Sequence, residues 1–180
     1  CVAGAVANYT AQIVGETDGF LRRDALMFLT HFVGDLHQPL HVSRTSDRGG
    51  NSIHVSYNVT TGARYNARHL RRRDLIVDRR HHFSENLHAV WDDAIIETCL
   101  ENNYQSSRLA MEDALFEDIL FAQRTGEFDV WIECPDGAKT SCTTTWGEES
   151  LQLALKWAYR NVDGSEIVSG TLLSNEYYSS

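Results

Sequence analysis

Two histidines, each followed four residues later by an aspartate, constrain this chain more than any other feature: His31–Asp35 and His88–Asp92. A spacing of four fits one face of a helix, where the two Cβ atoms lie about 5–6 Å apart. Imidazole nitrogen and carboxylate oxygen are both ligands that zinc accepts. His41 follows just past Pro39, a residue that stops the helix before it. One such pair arises easily by chance; two pairs together with His41 point to a metal site of more than one ion.

A chain of 180 residues fits a single domain over 1–180. A hydrophobic content of 42% supplies a real core, and no apolar run approaches the ~20 residues of a membrane span. The chain opens at Cys1 without Met and stops just after Glu176-Tyr-Tyr, so we expect an internal part of a longer protein, in which a missing leader carries no information. Charge is uneven. Residues 1–80 carry a net +4 and residues 81–180 a net −13, and all eight histidines lie at or before position 88. The acidic balance argues against attachment to nucleic acid by general electrostatics, although bound cations would dominate the field at their own site.

The four cysteines do not form a zinc-finger pattern. Cys134 and Cys142 flank a short Pro-Asp-Gly loop and are the preferred disulfide; Cys1 is left for a partner upstream and Cys99 for a buried thiol. The sequons at Asn8 (Asn-Tyr-Thr) and Asn58 (Asn-Val-Thr) would accept glycans in a secretory protein. With the disulfide they favour an oxidising, secreted or lumenal location.

Helical periodicity runs over 2–14, with Val2, Val6, Tyr9 and Ile13 on one face, and over 24–37, with Leu26, Met27, Leu29, Phe32 and Val33 inward. Ile53, Val55 and Tyr57 alternate with polar residues, as in one short strand. Ser84 is the expected cap of a helix carrying His88 and Asp92. Further helices are expected over 106–124, with Leu109, Leu115, Phe116, Ile119 and Leu120 inward, and over 146–159, packed through Leu151, Leu155 and Trp157. Residues 60–82 hold seven arginines and little apolar period, which reads as a solvated basic insertion, or as a lip for a polyanion. The sum is an all-α domain with long loops.

A lone histidine on an apolar face is more often a satisfied core residue than a ligand. Asp35 and Asp92 alter those odds, because a buried carboxylate is costly unless paired or metal-bound. His41, His88 and Asp92 make two histidines and one carboxylate, the stoichiometry of catalytic zinc with water in the fourth position. His31 and Asp35 supply two ligands towards another ion. His37, His54, His81 and His82 read as exposed or outer residues and Trp91 as core. Gly49-Gly50-Asn51 is either a simple turn or a place where backbone approaches a ligand and the Asn amide reads a polar edge.

These segments together resemble the S1/P1 nuclease family: Cys1 to Ala5 with Asn8-Tyr-Thr, His31 to His41, Gly49 to Ile53, Asn86 to Asp92, Trp131 to Cys134 and Leu173 to Tyr178. The resemblance implies a phospholipase C/P1 nuclease-like helical fold holding three zinc ions. Asp35 would bridge two of them, His31 would bind one of that pair, and His41, His88 and Asp92 would hold the remaining ion. Gly49 and Asn51 match the nucleobase-binding loop. The implied reaction is hydrolysis of P–O3′ bonds in single-stranded DNA, RNA and 3′-nucleotides, leaving 5′-phosphates, with no membrane span and no stable protein partner. The family's zinc-binding amino-terminal tryptophan, several further ligands and the carboxylate near the attacking water would precede Cys1, and the final helix would follow Ser180. Rival readings are a zinc phospholipase C of the same fold and a non-catalytic, zinc-stabilised helical module.

Overall fold

Asp18 starts the helix on which the first His–Asp pair rides. In the computed structural model, which describes residues 2–16, 18–58, 82–134 and 142–178, its carboxylate accepts from the backbone N–H groups of Phe20 at 2.8 Å and Leu21 at 3.1 Å. Helix α2 (Gly19–His37) therefore opens ahead of the expected residue 24. Its carboxyl end is equally defined: the Gln38 N–H returns to the carbonyls of Gly34 and Asp35, and Pro39 opens a 3-10 turn, Pro39–Val42. A proline accepts that first-turn position because the N–H it lacks has no helical partner there.

The chain divides into two compact units. The first comprises Cys1–Ser43 and Leu120–Ala154. In it α1 (Val2–Gly15) packs along α2. Val6 is buried and Tyr9 stacks on Phe28 and Phe32, at ring separations of 5.1 and 5.7 Å. Helix α7 (Thr143–Leu153) lies against α1, α2 and the Pro39–Val42 turn. At that contact a Cβ added to Gly147 would meet Leu36 Cδ1 at 3.4 Å, the edge of ordinary van der Waals contact.

The second unit comprises Arg44–Ile119 and Leu155–Ser180. Its described residues hold a small sheet of order β2-β1-β3. Strand β1 (His54–Asn58) buries Val55 and Tyr57, as the alternation predicts. It pairs antiparallel with β2 (His82–Asn86), from His54↔Asn86 to Asn58↔His82, and parallel with β3 (Leu172–Leu173). The sheet positions the site. β1 follows the Gly49-Gly50-Asn51 loop and β2 runs straight into α3 (Leu87–Ala89), so their pairing, closed by Leu87 N–H to Ile53 C=O at 2.8 Å, brings that loop beside His88. A π turn, Val90–Ala94, joins α3 to α4 (Ile95–Tyr104), with the Ile95 N–H reaching Val90 C=O five residues back. Leu87, Val90, Ala94 and Leu100 are buried along it.

Helices α5 (Arg108–Thr125) and α6 (Glu127–Ile132) complete the helix-dominated fold that the resemblance implies, with the small sheet added to it. Several local expectations need correction. The cap before His88 is Asn86, whose Oδ1 accepts from Ala89 N–H at 2.8 Å, because Ser84 is taken up in β2. In α2 the buried residues are Ala25 and Leu36, while Leu26 and Met27 are exposed. In α5 Leu109, Leu115, Phe116 and Ile119 are exposed and Ala122 is buried. Periodicity gives a helix its apolar stripe, but the stripe is buried only when another element lies along it, and none of the described residues covers this one. After α7 a second π turn, Ala154–Ala158, shifts the helical phase: Ser150, Ala154 and Ala158 are buried, and Leu155 and Trp157 are exposed. Most of the basic segment 60–82 lies outside the described residues.

Candidate metal centre

In the first unit one carboxylate faces two imidazoles. Asp35, near the end of α2, sets Oδ2 3.3 Å from His31 Nε2, one turn back, and Oδ1 3.2 Å from His41 Nδ1. Two sequence features produce this: the four-residue spacing on α2, and the Gln38–Pro39 break that folds the chain back within three residues. Asp35 and His41 are about one quarter exposed, and His31 is largely open to solvent. His37 points elsewhere, its Nδ1 2.7 Å from the Val33 carbonyl and its ring beside Trp146.

In the second unit the His88–Asp92 pair straddles the start of the π turn. His88 Nε2 lies 3.5 Å from Asp92 Oδ2, and its other nitrogen, Nδ1, lies 2.7 Å from the Gly49 carbonyl. A carbonyl can only accept, so Nδ1 carries the proton and the lone pair of the neutral ring falls on Nε2. A lone pair and a carboxylate then face one another, an arrangement that a proton or a metal ion would bridge. π turns of a single turn recur at functional sites.

The three separations fit a metal better than a strong ion pair. Charge-assisted N–H···O bonds run about 2.7–2.9 Å, whereas the donors here are 3.2, 3.3 and 3.5 Å apart. Two ligands of a tetrahedral zinc, each about 2.0–2.1 Å from the ion, stand about 3.4 Å from one another. The donor set of imidazole and carboxylate is one that zinc, among other transition metals, accepts. An imidazole held through its second nitrogen by a backbone carbonyl is the usual outer support of a metal-binding histidine.

The loop for which a base contact is expected also supports His88. Arg48, Gly49 and Gly50 all have positive φ (58°, 64° and 82°), which glycine accepts without penalty at positions 49 and 50 but which is uncommon for the arginine at 48. Asn51 Nδ2 donates to the Arg48 carbonyl at 2.9 Å and so closes the loop. Residues that the sequence did not single out hold it: Asp47 Oδ1 accepts from Gly50 N–H at 2.8 Å and from Tyr159 O–H at 3.0 Å. The Arg44 guanidinium lies 4.3 Å above the Tyr159 ring and pairs with Glu166, whose hydrogen bond with Arg44 holds that carboxyl below its ordinary range. Beside Asp92, Trp91 Nε1 donates at 2.7 Å to Tyr177 O–H, which donates to the Ala158 carbonyl at 2.8 Å. No periodicity or spacing marks Tyr159 or Tyr177, because their partners lie far away in the sequence.

Cys134 and Cys142 form the expected disulfide, Cα–Cα 5.1 Å, while Cys99 is a half-buried free thiol. Asn8 is exposed on α1. Among the described residues no helix is long and apolar enough to cross a membrane.

The sequence profile of the S1/P1 nuclease family matches residues 1–180. Endonuclease 1 and Endonuclease 4 of Arabidopsis thaliana are 34% and 36% identical to this chain over 99% of its length, and Nuclease S1 of Aspergillus oryzae is 28% identical over 99%. The alignments cover 50%, 52% and 53% of those proteins, so the chain spans about half the length of the curated relatives it matches. Together with the helix-dominated fold and the paired histidines and aspartates, this match establishes that the chain belongs to the S1/P1 nuclease family.

Proposed function

We propose that the protein containing this chain is a zinc-dependent nuclease that hydrolyses P–O3′ bonds in single-stranded DNA and RNA and in 3′-nucleotides, leaving 5′-phosphates. The observation that carries the reading is the pair of carboxylates, Asp35 and Asp92, each facing imidazole nitrogen at ligand-to-ligand separations. The names of the relatives, endonucleases and nucleases, support the reaction class.

His31, Asp35 and His41 would hold zinc in one unit and His88 with Asp92 in the other; that His41 shares an ion with His88 and Asp92 rests on their stoichiometry and on the resemblance, and the total of three ions on the resemblance alone. Zinc, when bound, supplies Lewis acidity towards phosphoryl oxygens and lowers the pKa of water towards neutrality. The chain's own contribution is orientation. Asp35, between two imidazoles, fixes the distance between donors, and Gly49 turns His88 so that Nε2 is the ligand atom. Gly49 and Asn51 remain the proposed contact to an unpaired base, through Asn51 groups not spent on the Arg48 carbonyl.

A secreted or lumenal location is part of the same proposal, supported by the Cys134–Cys142 disulfide. Glycans at Asn8 and Asn58 would appear as a mass loss on deglycosylation of the secreted protein.

The test is zinc content and hydrolysis of single-stranded DNA by the full-length protein, with His88→Ala beside it. Bound zinc, reduced in His88→Ala together with loss of hydrolysis, supports the reading. A protein that binds no zinc, or that loses none of its hydrolysis in His88→Ala, overturns it.

A further inference from the structure

A histidine ligand is useful only in one tautomer, and the second unit contains a four-part linkage that selects it for His88. The buried Tyr159 hydroxyl donates to Asp47 Oδ1 at 3.0 Å. The same oxygen accepts the Gly50 N–H at 2.8 Å, and so fixes the turn whose preceding residue, Gly49, offers its carbonyl to His88 Nδ1 at 2.7 Å. Backbone bonds from Gly49 N–H to Arg44 C=O (2.8 Å) and from Ser52 N–H to Asp47 C=O (3.0 Å) brace the loop on either side. We propose that Tyr159 is a positioning residue for His88: acting through Asp47 and the Gly49–Gly50 turn, it keeps the His88 proton on Nδ1 and Nε2 ready to bind metal.

The physical reason is competition between two protonation sites on one ring. Without the Gly49 carbonyl in place, the proton of the neutral imidazole can move to Nε2, where Asp92 Oδ2 at 3.5 Å would accept it. That tautomer has no lone pair to give on the side facing Asp92, and metal would have to displace the proton. Tyr159 suits the task because it is fully buried and its ring is held under the Arg44 guanidinium, which is in turn paired with Glu166. Its hydroxyl therefore has little freedom to leave Asp47. The residues from Asp47 to Gly50 form a turn outside any helix or strand, and the bonds to the Asp47 side chain add to the backbone bonds that hold it. The inference rests on the reading of His88 and Asp92 as metal ligands.

The experiment uses the full-length protein with Tyr159→Phe, Asp47→Ala, His88→Ala and, as a control for general loosening, Leu100→Ala in the core of the same unit. Two readouts are taken: the nitrogen–proton correlation spectrum of the histidine rings in metal-free protein, with His88 assigned from the His88→Ala spectrum, and zinc affinity by chelator competition. Expected are a single Nδ1–H form of His88 in the parent protein, a mixture of forms in Tyr159→Phe and in Asp47→Ala, and zinc affinity about 10–100-fold weaker in both, the usual effect of an outer partner of a ligand. Asp47, being the less buried partner, carries the test if Tyr159→Phe does not fold. An unchanged tautomer and zinc affinity in these variants, with zinc binding reduced in His88→Ala, would overturn the proposal and leave the nuclease reading standing. The same tautomer mixing in Leu100→Ala would also overturn it, as loosening alone would then suffice. Zinc binding unaltered in His88→Ala would remove the metal reading and this proposal with it.

Discussion

Trp91 donates its indole N–H to the Tyr177 hydroxyl across 2.7 Å, tying the residue next to Asp92 to the chain's carboxyl-terminal segment. The hydroxyl in turn donates to the Ala158 carbonyl. Tyr177→Phe would strand a donor and an acceptor in a site that water scarcely reaches. We expect a loss of about 1–3 kcal/mol in unfolding free energy, measured by denaturant titration, and an unchanged midpoint would refute the assignment.

Burial also pushes the Tyr177 phenol well above its ordinary value, outweighing the opposing hydrogen bond from Trp91. A raised folded value means the unfolded chain releases this proton first, so the native state binds more protons above the ordinary tyrosine range. The contribution is fully present below about pH 10 and is lost as pH rises through the higher folded value. Stability should therefore fall on the alkaline side, and Tyr177→Phe should flatten that fall. A mutant with the same alkaline slope would show that another group governs it.

Asp35 serves both of its imidazole neighbours at once, so its loss should exceed that of any outer partner. Asp35→Ala is expected to lower hydrolysis by more than the ~100-fold upper range for outer-partner changes, with zinc content reduced in parallel. Retained zinc at full stoichiometry would contradict this.

Asn86 caps the helix that carries His88 and Asp92. Replacing it by Ala should cost about 1 kcal/mol and weaken zinc binding, whereas Ser84→Ala should do neither. Equal effects of the two changes would argue against Asn86 as the cap.

Reduction of the Cys134–Cys142 bond opens a loop of sequence separation 8. The chain-entropy relation for so short a loop gives about 2.5 kcal/mol. Thermal melts with and without reductant on the Cys99→Ser background would read it directly, and a shift of under a degree would contradict it.

Much of the site was legible because it is local. His31–Asp35 and His88–Asp92 meet through a spacing of four, His41 returns to Asp35 through Pro39, and β1 declares itself by alternation. What could not be read depends on distant partners. The cap moved from Ser84 to Asn86 because β2 pairs with β1, a contact that nothing within 82–92 encodes. The Gly49 carbonyl, Asp47 and Tyr159 look like an ordinary turn and an ordinary aromatic until the sheet brings them beside His88. The exposed Leu109 and Phe116 on α5 show the converse: a stripe can be visible in the sequence with no described element lying along it.

The π turn at Val90–Ala94 is an α-helical ladder with one surplus residue, as the Ile95-to-Val90 bond shows. Removing one residue there would let the regular ladder close with the helices on either side still in phase, so the apolar residues towards Leu100 would keep their faces. A deletion between His88 and Asp92 would instead cut their spacing from four residues to three, a step of about 100° around the helix. Exchanges of exposed side chains along the turn leave that spacing untouched, so the surplus residue matters for where it sets Asp92 rather than for the course of the helix beyond.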